Sequence, residues 1–81
     1  MVWILNQTWS NPEETDSRIL GVYGSRKKAI KALEAECSEM EEWFKANKAW
    51  PVSWYETSAD HVMWGSGEYK ICTEIQEFTI L

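Results

Sequence analysis

The sequence predicts an α+β fold in which an antiparallel sheet of about five strands, in the order ββαβββ, packs on one long amphipathic helix. Within residues 25–47 apolar side chains recur at spacings of 3 and 4, which is a helical period. The segments on either side are short and rich in the aromatic and β-branched residues typical of strands. Because 81 residues can close only one core, we expect a single domain over residues 1–81.

Two strands precede the helix. Residues 2–9 alternate between two faces that both begin apolar, which predicts a strand inside the sheet. Residues 10–17 are polar and acidic and contain an Asn-Pro step, so we expect a loop there. Residues 18–23 return as a second strand, antiparallel to the first, and Gly21 within it indicates a bulge or a close approach by the helix.

The helix carries its own start and stop signals. Ser25 is the predicted N-cap and Asn47 the predicted end, just before the Trp50-Pro51 step. The stripe that we expect to face the sheet, with Ala29 on its flank, consists of Ile30, Leu33, Cys37, Met40 and Phe44.

The last third of the chain is predicted to form three strands. We predict strands at residues 52–57 and 61–64, turns at 58–60 and 65–67, and a closing strand at 68–81 that is tied into the sheet. In the closing strand Tyr69, Ile71 and Ile75 share one face, whereas Phe78 and Ile80 fall on the other. A bulge or a sharp twist near residues 76–77 would turn both halves toward the core.

Composition limits the possible partners. A net charge of -5 opposes nucleic-acid binding, because phosphate contacts need a basic surface. The charge favours a basic partner, or simply keeps a small protein in solution. We find neither a signal-peptide pattern nor an apolar run of membrane-spanning length, so the sequence predicts a cytoplasmic protein without a membrane partner.

The sequence shows no assembled set of catalytic residues. His61 is the single histidine, and no serine, cysteine or carboxylate stands at a spacing that indicates a triad. Cys37 and Cys72 lack metal-ligand spacing, and we expect both to be buried free thiols in a reducing compartment. We therefore predict a protein without catalytic activity, metal or cofactor.

The start of the helix is a candidate anion site. Ser25, Arg26, Lys27 and Lys28 place a hydroxyl and three cations where free backbone N–H groups attract phosphate or carboxylate. The spacing matches neither of the glycine-rich nucleotide motifs. Simple capping with surface charge is the alternative interpretation, and a phosphate or nucleotide binder is the corresponding function.

The second half of the helix is the candidate partner-binding surface. The helix runs from basic to acidic, which opposes its own dipole and indicates a role other than local stability. The predicted contact residues are Glu36, Glu39, Glu42, Trp43 and Trp50, since tryptophan is enriched at binding hot spots. The alternatives are a solvated acidic face with both tryptophans capping the core, and a homodimer formed through edge strands or tryptophans.

The first half of the chain resembles small uncharacterised proteins of bacteriophages and mobile elements. The resemblance rests on residues 2–5, on residues 18–25 with their Gly-Val-aromatic-x-Ser junction, and on Ala29 and Leu33 in the helix. It covers about half the chain, brings no catalytic residues, and does not extend to the tryptophan-rich second half. It implies a phage-type protein that binds and blocks a host or defence protein, as anti-CRISPR proteins do.

Overall fold

The structure, a computed structural model, describes residues 1–80 and has the predicted α+β fold in the order ββαβββ. The elements are β1 (Val2–Ser10), β2 (Thr15–Tyr23), α1 (Arg26–Ala46), β3 (Trp54–Thr57), β4 (His61–Ser66) and β5 (Tyr69–Phe78). Every neighbouring pair of strands is antiparallel, and the sheet order is β2-β1-β5-β4-β3.

The topology brings three connections to one end of the sheet. The turn after β1, the loop between α1 and β3, and the turn between β4 and β5 all lie at what we call the Ser10 end, because Ser10 pairs with both Thr15 and Lys70 there. The helix begins at the opposite end and runs toward the Ser10 end across β2, β1 and β5. Side chains from distant parts of the sequence therefore meet at the Ser10 end.

The first hairpin is tighter than the sequence predicted. The expected loop at residues 10–17 is only residues 11–14, because β2 begins at Thr15 and pairs with β1 from its first residue. Asn11 closes the turn by accepting backbone N–H bonds from Glu13 and Glu14 at 2.8 and 3.0 Å. The predicted bulge near Gly21 is confirmed, since the register shifts between the Leu5–Gly21 and Asn6–Ile19 pairs.

The helix is capped as predicted. The Ser25 hydroxyl accepts a bond from the backbone N–H of Lys28 at 3.2 Å, and the Asn47 backbone and side-chain amides both donate to the carbonyl of Trp43 at 2.9 Å. Its rotation differs from the prediction. The fully buried positions are Ala29, Leu33 and Met40, while Ile30, Cys37 and Phe44 are only half-buried.

This rotation gives the helix two different flanks. Phe44 packs against Trp64 of β4, whereas Trp43 packs against Trp9 of β1. The flank with Ile30, Cys37 and Phe44 therefore faces the β3–β4 side of the sheet. The flank with Glu36 and Trp43 faces β1 and β2.

The closing strand departs from the prediction in two ways. Its register against β1 runs without a shift from Phe78 opposite Val2 to Lys70 opposite Ser10, so the bulge predicted near residues 76–77 is wrong. Phe78 consequently stays on the helix-free face, and Phe78 and Ile80 are 48% and 66% exposed. The strand ends at Phe78, before the predicted end at residue 81, which lies outside the described residues.

The predicted turn at residues 65–67 is displaced. Gly65 and Ser66 belong to β4, and the turn is Gly67-Glu68, with Gly67 at the positive φ of 60° that glycine adopts without strain. Gly65 lies opposite Trp54, and a side chain at Gly65 would overlap the indole. The glycine thus lets Trp54 lie flat on the sheet at its β3 edge.

Candidate functional site

The five predicted partner-binding residues lie at the second half of α1 and the loop that follows it. Glu39 and Glu42 are exposed, while Glu36, Trp43 and Trp50 are half-buried. We call this set the acidic–aromatic surface. Glu36, Glu39 and Trp43 share the flank of the helix that faces β1 and β2, because they are three, four and seven residues apart. Glu42 directly precedes Trp43 and therefore lies on the neighbouring side of the helix, where it pairs with Lys45 at 3.2 Å.

The tryptophans of this surface are parts of a rigid aromatic cluster. Trp43 makes edge contacts with Trp9 and Trp50 at ring-centre distances of 5.3 and 6.2 Å. Phe44 stacks on Trp50 at 5.4 Å with an angle of 20° between the rings. Trp43 and Trp50 therefore serve the core and the surface at once: each is held by aromatic neighbours, and each keeps part of its ring accessible.

A buried polar network anchors Glu36 to the sheet. Gln7 is fully buried, and its amide N–H₂ donates to the Glu36 carboxylate and to the Thr73 hydroxyl, both at 3.0 Å. Its amide oxygen accepts from Nε1 of Trp9 at 2.8 Å and from the Arg18 guanidinium at 3.3 Å. One amide thus fixes four side chains from β1, β2, α1 and β5.

The electrostatics of Glu36 reflect this position. Partial burial raises the pKa of the Glu36 carboxyl above its ordinary value of 4.5, while the hydrogen bond from Gln7 lowers it by less. Glu39 also raises the pKa of Glu36, and Arg18 lowers it. The ionised carboxylate is therefore held in a place where it lacks full solvation, and a positive group of a partner would stabilise it.

We expect Glu36→Gln to stabilise the folded chain at neutral pH. A carboxyl whose pKa is raised by folding binds its proton more tightly in the folded state, so its ionised form penalises folding above the raised pKa. The penalty is relieved as the pH falls from the raised pKa toward 4.5. Glutamine still offers an oxygen to Gln7 and carries no charge.

Thermal unfolding over a range of pH checks this prediction. Glu36→Gln should raise the melting temperature at neutral pH, and the difference from the wild type should shrink toward pH 4.5. Glu34→Gln, on the exposed side of the same helix, is the matched control and should change little. A melting temperature lowered at neutral pH by Glu36→Gln would contradict the burial argument.

The predicted anion site lies at the start of α1, and no finding on the described residues tests whether it binds an anion. The Ser25 hydroxyl is used by its capping bond to Lys28, and Arg26, Lys27 and Lys28 are exposed. Neither of the two principal cavities includes any of these residues. The cap bond agrees with the capping interpretation, and anion binding by Arg26, Lys27 and Lys28 stays a prediction.

The turn between β3 and β4 contains a group that spacing alone did not indicate. The Ser58 hydroxyl lies 2.6 Å from Nδ1 of His61 and 3.0 Å from the Asp60 carboxylate, and Nε2 of His61 lies 3.6 Å from the Glu56 carboxylate. Backbone bonds between Ser58 and His61, and between Asp60 and Ile75, close the same turn. These contacts fix the turn on β5.

The cysteines are less buried than predicted. Cys37 and Cys72 are both free and half-buried, since Cys37 lies on the flank of the helix and Cys72 on the helix-free face of the sheet. Burial raises the pKa of each thiol, with nearby glutamates adding to the effect, so neither is activated as a thiolate. Within residues 1–80, no group of three or more His, Cys, Asp and Glu side chains could hold a metal ion.

The structure also adds residues that the sequence did not single out. Gln7, Trp9 and Arg18 converge beside the acidic–aromatic surface although they come from two strands that precede the helix. The available signal was Gln7, a polar residue on a face otherwise occupied by Trp3, Leu5 and Trp9. A polar side chain on an apolar face needs partners, but the sequence does not reveal which ones.

Comparison of the chain with protein-family models, with curated proteins and with solved structures gave no match. No helix of residues 1–80 has both the length and the apolar character needed to cross a membrane.

Proposed function

We propose that this chain is a small, non-enzymatic phage-type protein that binds and inhibits a host or defence protein, as anti-CRISPR proteins do, in the bacterial cytoplasm. The acidic–aromatic surface is the proposed contact, and the partner presents a basic surface. The phage context comes from the resemblance of the first half of the chain.

The observation that carries the proposal is the fixed position of Trp43. Its ring is held between Trp9 and Trp50, and it remains partly exposed with Glu39 one helical turn away. A rigid, partly exposed aromatic side chain gives contact area at little entropic cost, which is why tryptophan dominates binding hot spots. Trp43 therefore has the properties of an anchor in a protein interface.

The carboxylates around Trp43 favour a partner with a basic surface. Glu39 and Glu42 are exposed around Trp43, and Glu36 is partly desolvated beside them. Lysine or arginine side chains of a partner would face all three carboxylates. Such complementarity speeds association and selects among partners more than it adds affinity.

Paired charge reversals test the surface. The double variant Glu39→Lys with Glu42→Lys should lose capture of the partner from a bacterial host lysate, measured by quantitative mass spectrometry against the wild type. Both residues are exposed, so the fold should persist.

The chain offers a matched control on the other flank of the helix. Glu34→Lys with Glu41→Lys makes the same change in net charge, also at exposed positions, but away from Trp43. This control should capture the partner like the wild type. Equal capture by all three proteins, or equal loss in both double variants, would show that this surface is not the binding site.

A further inference from the structure

A cleft at the Ser10 end of the sheet is distinct from the acidic–aromatic surface except for Trp50, which borders both. Its volume is about 410 Å³, which is within the usual range of small-molecule sites. The lining residues used below are Trp9, Trp50, Asp16, Arg18, Glu14 and Lys70. They come from β1, β2, the turn between them, the loop after α1, and β5.

Aromatic rings form one part of the lining. Trp9 is held by its Nε1 bond to Gln7 and by its edge contact with Trp43. Phe44 stacks on one face of Trp50, Trp43 contacts the same ring at an interplanar angle of 68°, and part of Trp50 lines the cleft. Both rings are therefore positioned before any ligand arrives, which lowers the entropic cost of binding.

Charged groups of both signs also line the cleft. Arg18 donates to the uncharged amide of Gln7, and within residues 1–80 neither Arg18 nor Lys70 lies within 4.0 Å of a carboxylate oxygen. Asp16 and Glu14 are likewise without a cation at that distance in the described part of the chain. Two cations and two anions thus line one cleft without pairing with each other.

The presence of both cations and anions in the cleft favours a neutral, polar ligand. A phosphate or carboxylate would face Asp16 and Glu14, and an organic cation would face Arg18 and Lys70. An apolar ligand would desolvate all four charges without replacing their hydrogen bonds. Hydroxyl groups donate as well as accept, so a neutral polyhydroxylated ring satisfies both kinds of charged group.

We propose that the cleft binds a neutral sugar, with one face of the ring stacked on Trp50 and its hydroxyls bonded to Asp16 and Arg18. The proposal rests on the cleft alone and is independent of the protein-binding function above. For a ligand with as few atoms as a monosaccharide, the dissociation constant should be on the order of 1 mM, and a disaccharide should bind more tightly.

Amide chemical shifts of the ¹⁵N-labelled full chain test the proposal. The probes are neutral mono- and disaccharides, with nucleosides, nucleotides and inorganic phosphate as comparison ligands. Saturable shifts at residues 7–18, 50 and 69–70 with at least one neutral sugar are expected. If no sugar gives saturable shifts there, or if only a nucleoside, a nucleotide or phosphate does, the proposal is wrong.

Three variants locate the binding. Asp16→Asn and Trp50→Ala should each weaken the sugar by about tenfold, the effect of losing one charged hydrogen bond or one stacking partner. Trp54→Ala removes a tryptophan from the helix-free face and should leave sugar binding unchanged. Because Asp16 is exposed and outside the aromatic cluster, its variant remains decisive if Trp50→Ala fails to fold. Unchanged binding by Asp16→Asn would overturn the assignment.

Discussion

Replacing Trp64 with alanine should lower the free energy of unfolding by about 3–5 kcal/mol, as expected for a large aromatic side chain removed from a core. Trp64 is 3% exposed, and its ring lies 5.5 Å from Phe44 and 6.4 Å from Tyr55. Its contact with Phe44 links the helix to the β3–β4 side of the sheet. A chain of this size has a total stability of only about 4–12 kcal/mol, so the variant should be largely unfolded or close to it.

Chemical denaturation monitored by circular dichroism measures this loss. Trp54→Ala is the matched control, because Trp54 is 39% exposed and lies at the edge of the sheet. The control should lose markedly less stability than Trp64→Ala. A loss below about 1 kcal/mol for Trp64→Ala would show that Trp64 is not the centre of the core.

Replacing Gln7 with alanine should lower the free energy of unfolding by about 2–4 kcal/mol, because four side chains would lose the amide to which all of them bond. Gln7 is fully buried and bonds to Glu36, Thr73, Trp9 and Arg18. Thr73 is also fully buried, and its hydroxyl loses the bond from the Gln7 amide when Gln7 is removed. The variant also leaves a cavity between the helix and the sheet.

Two further variants separate these contributions. Gln7→Met keeps most of the volume and removes the hydrogen bonds, so its loss should be smaller than that of Gln7→Ala but still clear. Gln76→Ala removes an exposed glutamine whose bond to Glu74 is solvent-accessible, and it should cost less than about 0.5 kcal/mol. Equal stability of Gln7→Ala and Gln76→Ala would contradict the structural importance of the network.

The parts of the fold that local patterns encode were predictable. Ser25 and Asn47 cap the helix because each provides polar atoms that bond to the helix ends. The helical period, the antiparallel pairing of β1 and β2, and the bulge near Gly21 also depend on residues that are close in sequence. Such features need no knowledge of the rest of the chain.

The rotation of the helix was not predictable from its own apolar stripe. Leu33 and Met40 of the predicted stripe are buried, whereas its other members are only half-buried. On the opposite flank Trp43 packs against Trp9. That contact joins residues far apart in the sequence, and the sheet order that creates it depends on β5 returning between β1 and β4. Tertiary packing therefore decided which side of the helix is buried.

The direction in which the Phe78 side chain points differs from the prediction for a related reason. Its apolar character suggested a bulge that would turn it inward, but an unbroken ladder with β1 keeps it on the helix-free face. Exposed Phe78 and Ile80 are the result.

The candidate site was predictable only in part. Charge and helical spacing identified the carboxylates around Trp43, since both belong to one helix. Gln7, Trp9 and Arg18 could not be assigned to the same neighbourhood, because their contacts span β1, β2, α1 and β5. The neutral balance of the cleft follows from the same long-range placement.

The binding affinity of the purified partner for three proteins tests the acidic–aromatic surface most directly. We expect the dissociation constant to rise at least about tenfold for Glu39→Lys with Glu42→Lys, as for charges that face a partner across an interface. It should stay near the wild-type value for Glu34→Lys with Glu41→Lys. Equal affinities for all three proteins, or equal weakening in both double variants, would contradict the proposed role of this surface.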